Sequence, residues 1–309
     1  MKKFLYKTTL FLVICLVVLV AIDGIFSRCL QKSNYSSIEG WFDLMHGKID
    51  SDIIVSGSSR AYVMVSPSIL DSILGVSTYN LGIDGSPINR QAMKYEMFKA
   101  RHNRKPKLIL QNIDLFAMTY RVGYDNQQYL PYFGNRTFRE SAIFSAEPFS
   151  FADKYLPLYR YRKYPGLFRY ITSATKPRRL YKGFYAVGER TWDGAQFNQI
   201  EKITFNIDER TVAMFEHYLE DVRADSIKMV FVYAPIYIGL TQKISNLEEM
   251  YAYFQQLADK YNTPILDYNY SYLSYDTLYF YNAMHLNEFG TKLFSDTLAK
   301  DIKRMGWVD

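Results

Sequence analysis

Five short runs, each followed by a segment with helical spacing, constrain this chain more than any other feature. They are Asp52-Ile53-Ile54-Val55-Ser56, Val76 to Asn80, Lys107 to Ile113, Lys228 to Ala234, and Pro264 to Asp267. Each is too short for a core helix; KLILQNI reads as a strand, and KMVFVYA, apolar after its first residue, reads as a buried one. Between and after them lie helical patterns at residues 67–74 with Ser66 as N-cap, 89–103 ended by Pro106, 208–224, 247–261 capped by Asn246, and 288–303. Strands alternating with helices require crossover connections, and crossovers give parallel pairing with helices on both faces. The predicted fold class is therefore α/β, a doubly wound and mainly parallel sheet. In such a sheet, side chains at the carboxyl ends of the strands form the site.

Composition narrows the class further. Of 309 residues, 49% are hydrophobic and 22% charged, enough to build a large core and incompatible with a disordered or low-complexity chain. Lys and Arg number 37 against 31 Asp and Glu, a net charge of +6, too small and too spread to suggest nucleic acid as a partner. The two cysteines, Cys15 and Cys29, both lie near the N-terminus, so most of the chain has no disulfide framework. His46, His102, His217 and His285 are scattered without ligand spacing, so neither a metal nor another cofactor is expected.

The N-terminus begins Met1-Lys2-Lys3, and Leu10 to Ile22 contains no polar group. With Lys7 snorkelling, the apolar stretch from Phe4 to Ile22 would be about 28 Å long as a helix, which matches a bilayer core. A cleaved signal peptide shares this charge and apolar region, although AIDGIFSRC, from Ala21 to Cys29, lacks the small-residue cleavage pattern. Lys2, Lys3 and Lys7 favour a cytoplasmic N-terminus, while Arg28 and Lys32 weigh against it. The expected organisation is an anchor at residues 1–30, a linker at 31–50, and an α/β domain at 51–309 with an insertion at about 119–206. From Asp153 to Lys182 the insertion carries nine Lys or Arg and one acid. That composition suits a solvated aromatic cap, or a lid that meets glycans or anionic lipid headgroups.

Two motifs could carry chemistry. Gly57-Ser58-Ser59-Arg60-Ala61 places a serine directly after the first strand on a turn feeding a helix, which suits an exposed nucleophile, though Gly-Ser-Ser is also an ordinary turn. His285, in Asn282-Ala283-Met284-His285-Leu286-Asn287, stands just before the last helix, where a general base could reach that serine; a lone histidine is also commonly a surface residue. Pro235-Ile236-Tyr237 follows another strand end and either borders the pocket or packs in the core.

Together these segments resemble the conserved blocks of SGNH/GDSL hydrolases over about residues 50 to 305. Gly57-Ser58-Ser59 is similar to their Gly-Asp-Ser block, Asn80-Leu81-Gly82-Ile83-Asp84-Gly85 to their second block, and Asn282 to Asn287 to their terminal Asp-x-x-His block. The nearer likeness is to membrane-anchored SGNH-like proteins of cell-surface polysaccharide O-acylation systems. The resemblance implies a flavodoxin-like sheet, Ser59 as nucleophile and His285 as base. It also implies an oxyanion hole from the backbone N–H groups of Ser59 and Gly85, with Gly82 as an alternative donor. Two departures stand out. Gln111-Asn112-Ile113-Asp114 replaces the third-block Gly-x-Asn-Asp, so Asn112 supplies the oxyanion amide only if the strand end is arranged differently. Asn282 stands where the histidine-orienting Asp would be, leaving Asp276 as a nearby surrogate. The implied function is a membrane-anchored, extracytoplasmic serine esterase or O-acyltransferase acting on acyl esters of a polysaccharide or glycolipid. The alternative is a non-catalytic, glycan-binding partner of a membrane O-acyltransferase.

Overall fold

A computed structural model of the chain describes residues 1–119, 126–140, 149–195 and 197–308. The chain divides into two compact units, one comprising Met1–Met45 and Val122–Arg179, the other His46–Arg121 and Leu180–Asp309.

The second unit holds a five-stranded parallel sheet built from β1 (Ile53–Ser56), β2 (Thr78–Asn80), β3 (Leu108–Asn112), β4 (Lys228–Tyr233) and β5 (Ile265–Asp267). Its strand order is β2-β1-β3-β4-β5, with Ile53 opposite Leu108 and Leu108 opposite Lys228. The order reverses at β1, so the carboxyl end of β1 lies at the topological switch point. Among the helices that accompany the strands are α3 (Ser59–Met64), α4 (Pro67–Leu74), α5 (Ile88–Arg101), α6 (Glu209–Ala224), α7 (Leu247–Tyr261) and α8 (Glu288–Arg304). Along each strand, alternate side chains serve opposite layers. Ile53, Val55, Leu110 and Val232 pack with Leu70 of α4 and Phe294, Leu298 and Ile302 of α8. On the other face, Phe231 stacks on Phe215 of α6 at 5.8 Å, and Phe215 meets Phe254 of α7 edge-on. The sheet is thus doubly wound, as the alternating pattern requires.

The first unit contains α1 (Lys2–Gln31) and α2 (Ser36–Met45). Helix α1 is long and apolar enough to cross a membrane, and nearly all its residues up to Ile22 are exposed. Residues 31–50, expected as a linker, instead contain α2, because Ile38, Trp41, Leu44 and Met45 form one apolar face. Trp41 is fully buried, donates to Gln128 Oε1 at 2.8 Å and contacts Tyr129 and Phe138 edge-on. The segment expected as one insertion also divides: residues 126–140 and 149–179 belong with α1 and α2, whereas the chain from Leu180 returns to the sheet unit. There the Asn80 N–H donates to the Lys182 carbonyl at 2.9 Å, pairing part of the open edge of β2.

Candidate active site

The turn after β1 needs Gly57 twice over. Its φ of +150° disfavours a side chain, and a Cβ there would lie 2.7 Å from the Ala61 Cβ and 2.8 Å from the Asn112 Cβ. Ser58 caps α3, accepting the Arg60 N–H at 3.3 Å, while its hydroxyl donates to Asp114. Ser58 is fully buried and committed, leaving Ser59, at the first helical position, as the serine that faces the site.

His285 reaches Ser59 from the opposite end of the sequence. A short hairpin pairs Phe280–Asn282 with His285–Leu286, and Asn287 then caps α8 by accepting the Gly290 N–H at 3.0 Å. Helix α8 is tied to α3 by Thr291 donating to the Val63 carbonyl and Ser295 to that of Met64, each at 3.2 Å. These contacts set His285 against Ser59, with His285 Nε2 2.8 Å from Ser59 Oγ.

Asn282 lies on the other side of the ring. Its Oδ1 accepts the Met284 N–H at 2.9 Å and lies 2.9 Å from His285 Nδ1. A carbonyl oxygen can only accept, so Nδ1 carries the proton and Nε2 presents a lone pair to the Ser59 hydroxyl. Asp276, the suggested surrogate, is exposed and accepts the Leu278 N–H as the cap of a separate turn; it does not orient His285. Burial, reinforced by the nearby Arg60 charge, pulls the His285 pKa down to about 4, so the ring is neutral at pH 7. Tyr281 stacks on it, with ring centroids 5.4 Å apart.

Behind the serine lies an ion pair that sequence reasoning missed. Arg60 and Asp114 meet at 2.9 Å, both buried, and Arg60 also donates to the Ala234 carbonyl. One guanidinium thereby ties the turn after β1 to the ends of β3 and β4. The signal available was Asp114 standing two residues beyond a buried strand, where a carboxylate needs a partner.

The oxyanion candidates separate. The Ser59 N–H, at the start of α3, has no preceding helical carbonyl to bond. The Gly82 N–H donates to Asn80 Oδ1 at 2.8 Å, and a Cβ at Gly82 would lie 2.6 Å from the Tyr62 nitrogen. Gly82 is therefore a close-packing position, a correction to its role as alternative donor. Gly85, at φ +60°, lies in the turn between β2 and α5, with its N–H on the Asp84 carboxylate. Asn112 ends β3 against Gly57, 2% exposed, and neither its amide nitrogen nor its oxygen has a hydrogen-bond partner. Leaving a buried amide unpaired is costly, and such groups concentrate at functional sites.

A cleft of about 410 Å³ lined in part by Lys228, Met229 and Pro264 opens at the amino-terminal ends of β4 and β5, the edge opposite Ser59. A second cavity, of about 200 Å³, is lined in part by Arg60 and Met284, the neighbours of Ser59 and His285.

No family model and no curated protein matches the chain. Among solved structures it is similar to a candidate acylhydrolase from Bacteroides fragilis, at 12% identity and a TM-score of 0.41, covering 82% of this chain and 86% of that one. It is also similar to a candidate lipolytic protein of the G-D-S-L family from Desulfitobacterium hafniense, at 9% identity and a TM-score of 0.41, covering 81% and 99%. A candidate lipase from Chitinophaga pinensis matches at 10% identity and a TM-score of 0.41, covering 84% and 100%. At these values the likeness carries no argument about activity. The site rests on its own geometry.

Proposed function

We propose that the chain is a serine esterase or O-acyltransferase of SGNH type, anchored by α1 in the cytoplasmic membrane, acting outside it on acyl esters of a polysaccharide or glycolipid. One observation carries the reading: Ser59 Oγ lies 2.8 Å from the nitrogen of a neutral histidine whose other nitrogen is held by Asn282. In the reaction, Ser59 Oγ attacks the ester carbonyl and its proton passes to His285 Nε2. The carbon–oxygen bond to the leaving alcohol breaks, and that alcohol takes the proton from His285. Water or a sugar hydroxyl then attacks the acyl-serine, again losing its proton through His285, which restores Ser59. The Ser59 N–H and the unpaired Asn112 amide are the donors for the oxyanion, since the Gly85 N–H is already on the Asp84 carboxylate. Asn282 fixes the tautomer but supplies no charge to imidazolium, which implies a slower enzyme than one with a carboxylate there.

The same asparagine favours a second reading, a non-catalytic glycan-binding partner of a membrane O-acyltransferase. The two readings separate on Ser59→Ala, measured in a generic ester assay and by the acylation state of cell-surface glycans. The enzyme reading expects loss in both assays. A strain with normal glycan acylation on Ser59→Ala would exclude it.

A further inference from the structure

The cavity of about 200 Å³ has walls from Leu115, Ile236, Leu240 and Ile244 as well as Arg60 and Met284. Those walls are built. The Tyr237 N–H donates to the Ala283 carbonyl at 3.1 Å, fixing the segment before Met284 against that after Ile236. Ile203 and Ile244 lie side by side in a parallel bridge, and the Asn246 side chain bonds both the N–H and the carbonyl of Phe205. Among the described lining residues Arg60 alone is charged; its two terminal nitrogens are held by Asp114 and the Ala234 carbonyl, and its unpartnered Nε is buried rather than open to solvent. A sugar needs convergent hydrogen-bonding groups that this lining does not offer, whereas an alkyl chain needs none.

We propose that this cavity takes the alkyl part of the acyl group, so that the preferred ester carries an apolar chain longer than acetyl. The proposal rests on the Ser59 esterase reading. At about 30 Å³ for each water-sized group, the cavity holds about six carbons. Each methylene buried in the transition state contributes up to about four-fold in kcat/KM.

The test is a series of p-nitrophenyl esters from acetate to decanoate, with full-length protein in nanodiscs. Expected is a rise of at least ten-fold in kcat/KM from acetate to hexanoate, then a fall. Leu240→Trp, which fills the cavity, should move the optimum toward acetate, and Leu240→Ala should move it toward longer chains. Acetate turnover that depends on Ser59, with no chain-length preference, would overturn the cavity proposal and leave the esterase reading standing. If no ester is turned over, saturation-transfer NMR with N-methylhexanamide decides the cavity separately. A chain-methyl signal lost in Leu240→Trp supports it, and no signal in the parent overturns it.

A second inference stands on different residues. Immediately after the exposed apolar stretch of α1, Asp23 accepts the Leu158 N–H at 2.8 Å and pairs with Arg160 at 2.7 Å; Ser27 bonds Tyr161, and Phe26 meets Phe168 with centroids 4.8 Å apart. This clamp fixes the 151–168 segment at the level where α1 would leave a bilayer. Phe151, Tyr155, Leu156, Tyr159 and Phe168 are all exposed there, among exposed Arg162, Lys163 and Arg169. Aromatic rings interspersed with cations match the headgroup layer. We infer that this face rests on the leaflet through which α1 emerges, in contact with anionic lipid. Tyr155→Trp and Phe168→Trp, in full-length protein reconstituted into nanodiscs with lipids brominated near the glycerol, provide the test. The added fluorescence, over a parent that contains Trp41, Trp192 and Trp307, should be quenched by at least half. It should be quenched more with phosphatidylglycerol than with phosphatidylcholine. Added fluorescence unaffected by bromine would overturn the contact.

Discussion

Asp114 accepts from Ser58 and pairs with Arg60, so the two residues on either side of Ser59 are both held by one buried carboxylate. The Ser59 hydroxyl is thereby aimed by its neighbours. Removing one partner of a buried pair strands the other charge, at a cost of about 3–5 kcal/mol. Asp114→Ala should lower the unfolding free energy by about that amount in denaturant titration. A change below about 1 kcal/mol would show that the turn is not held by this pair.

The pH dependence follows from the neutral imidazole. As the proposed base, His285 would work only when unprotonated, and burial and Arg60 pull its pKa down to about 4, against about 6.5 for an ordinary histidine. Ester hydrolysis should stay level as pH falls from 7 to about 5 and halve near 4, read from the acid limb of kcat/KM. An acid limb centred near 6.5 would contradict the buried, Arg60-facing histidine.

Asn282→Asp places a carboxylate on His285 Nδ1. A negative partner favours imidazolium, so the acid limb should shift to higher pH and the plateau rate should rise. An unchanged profile with an unchanged rate would mean that Asn282 does not orient the base.

Asn112 gives a test in which stability and rate part company. Its amide has no partner in the folded chain, so Asn112→Ala should cost little stability, while loss of an oxyanion donor lowers kcat by about 10²–10³. Equal kcat in parent and variant, at equal Tm, would remove Asn112 from the site.

The alternating strands and helices were legible because a parallel sheet leaves a strong pattern of short apolar runs, as in KLILQNI. Ser59 and His285 were legible because each stands at a loop at the strand-end edge of that sheet. What escaped was set by contacts distant in sequence. Arg60 beside Ser59 looks like a surface charge until the end of β3 brings Asp114 against it. In the sequence Gly82 offers a backbone donor, but in the fold Asn80 takes its N–H; Asp276 offers a spare carboxylate, but it caps its own turn. Helix α2 was hidden by the polar residues before it, although Ile38, Trp41, Leu44 and Met45 already carried its apolar face.

The anchor is tested by fractionation. A retained α1 keeps the mature protein in the membrane pellet after a high-salt wash, with its N-terminal peptide intact. A soluble form beginning near residue 25 would identify the segment as a cleaved signal.

The most direct test of the central claim is labelling of the full-length protein with a fluorophosphonate, followed by peptide mapping of the adduct. A serine activated by a neutral histidine 2.8 Å away should carry the label at Ser59, and the label should disappear in His285→Ala. An unlabelled protein, or an adduct on any residue other than Ser59, would contradict it.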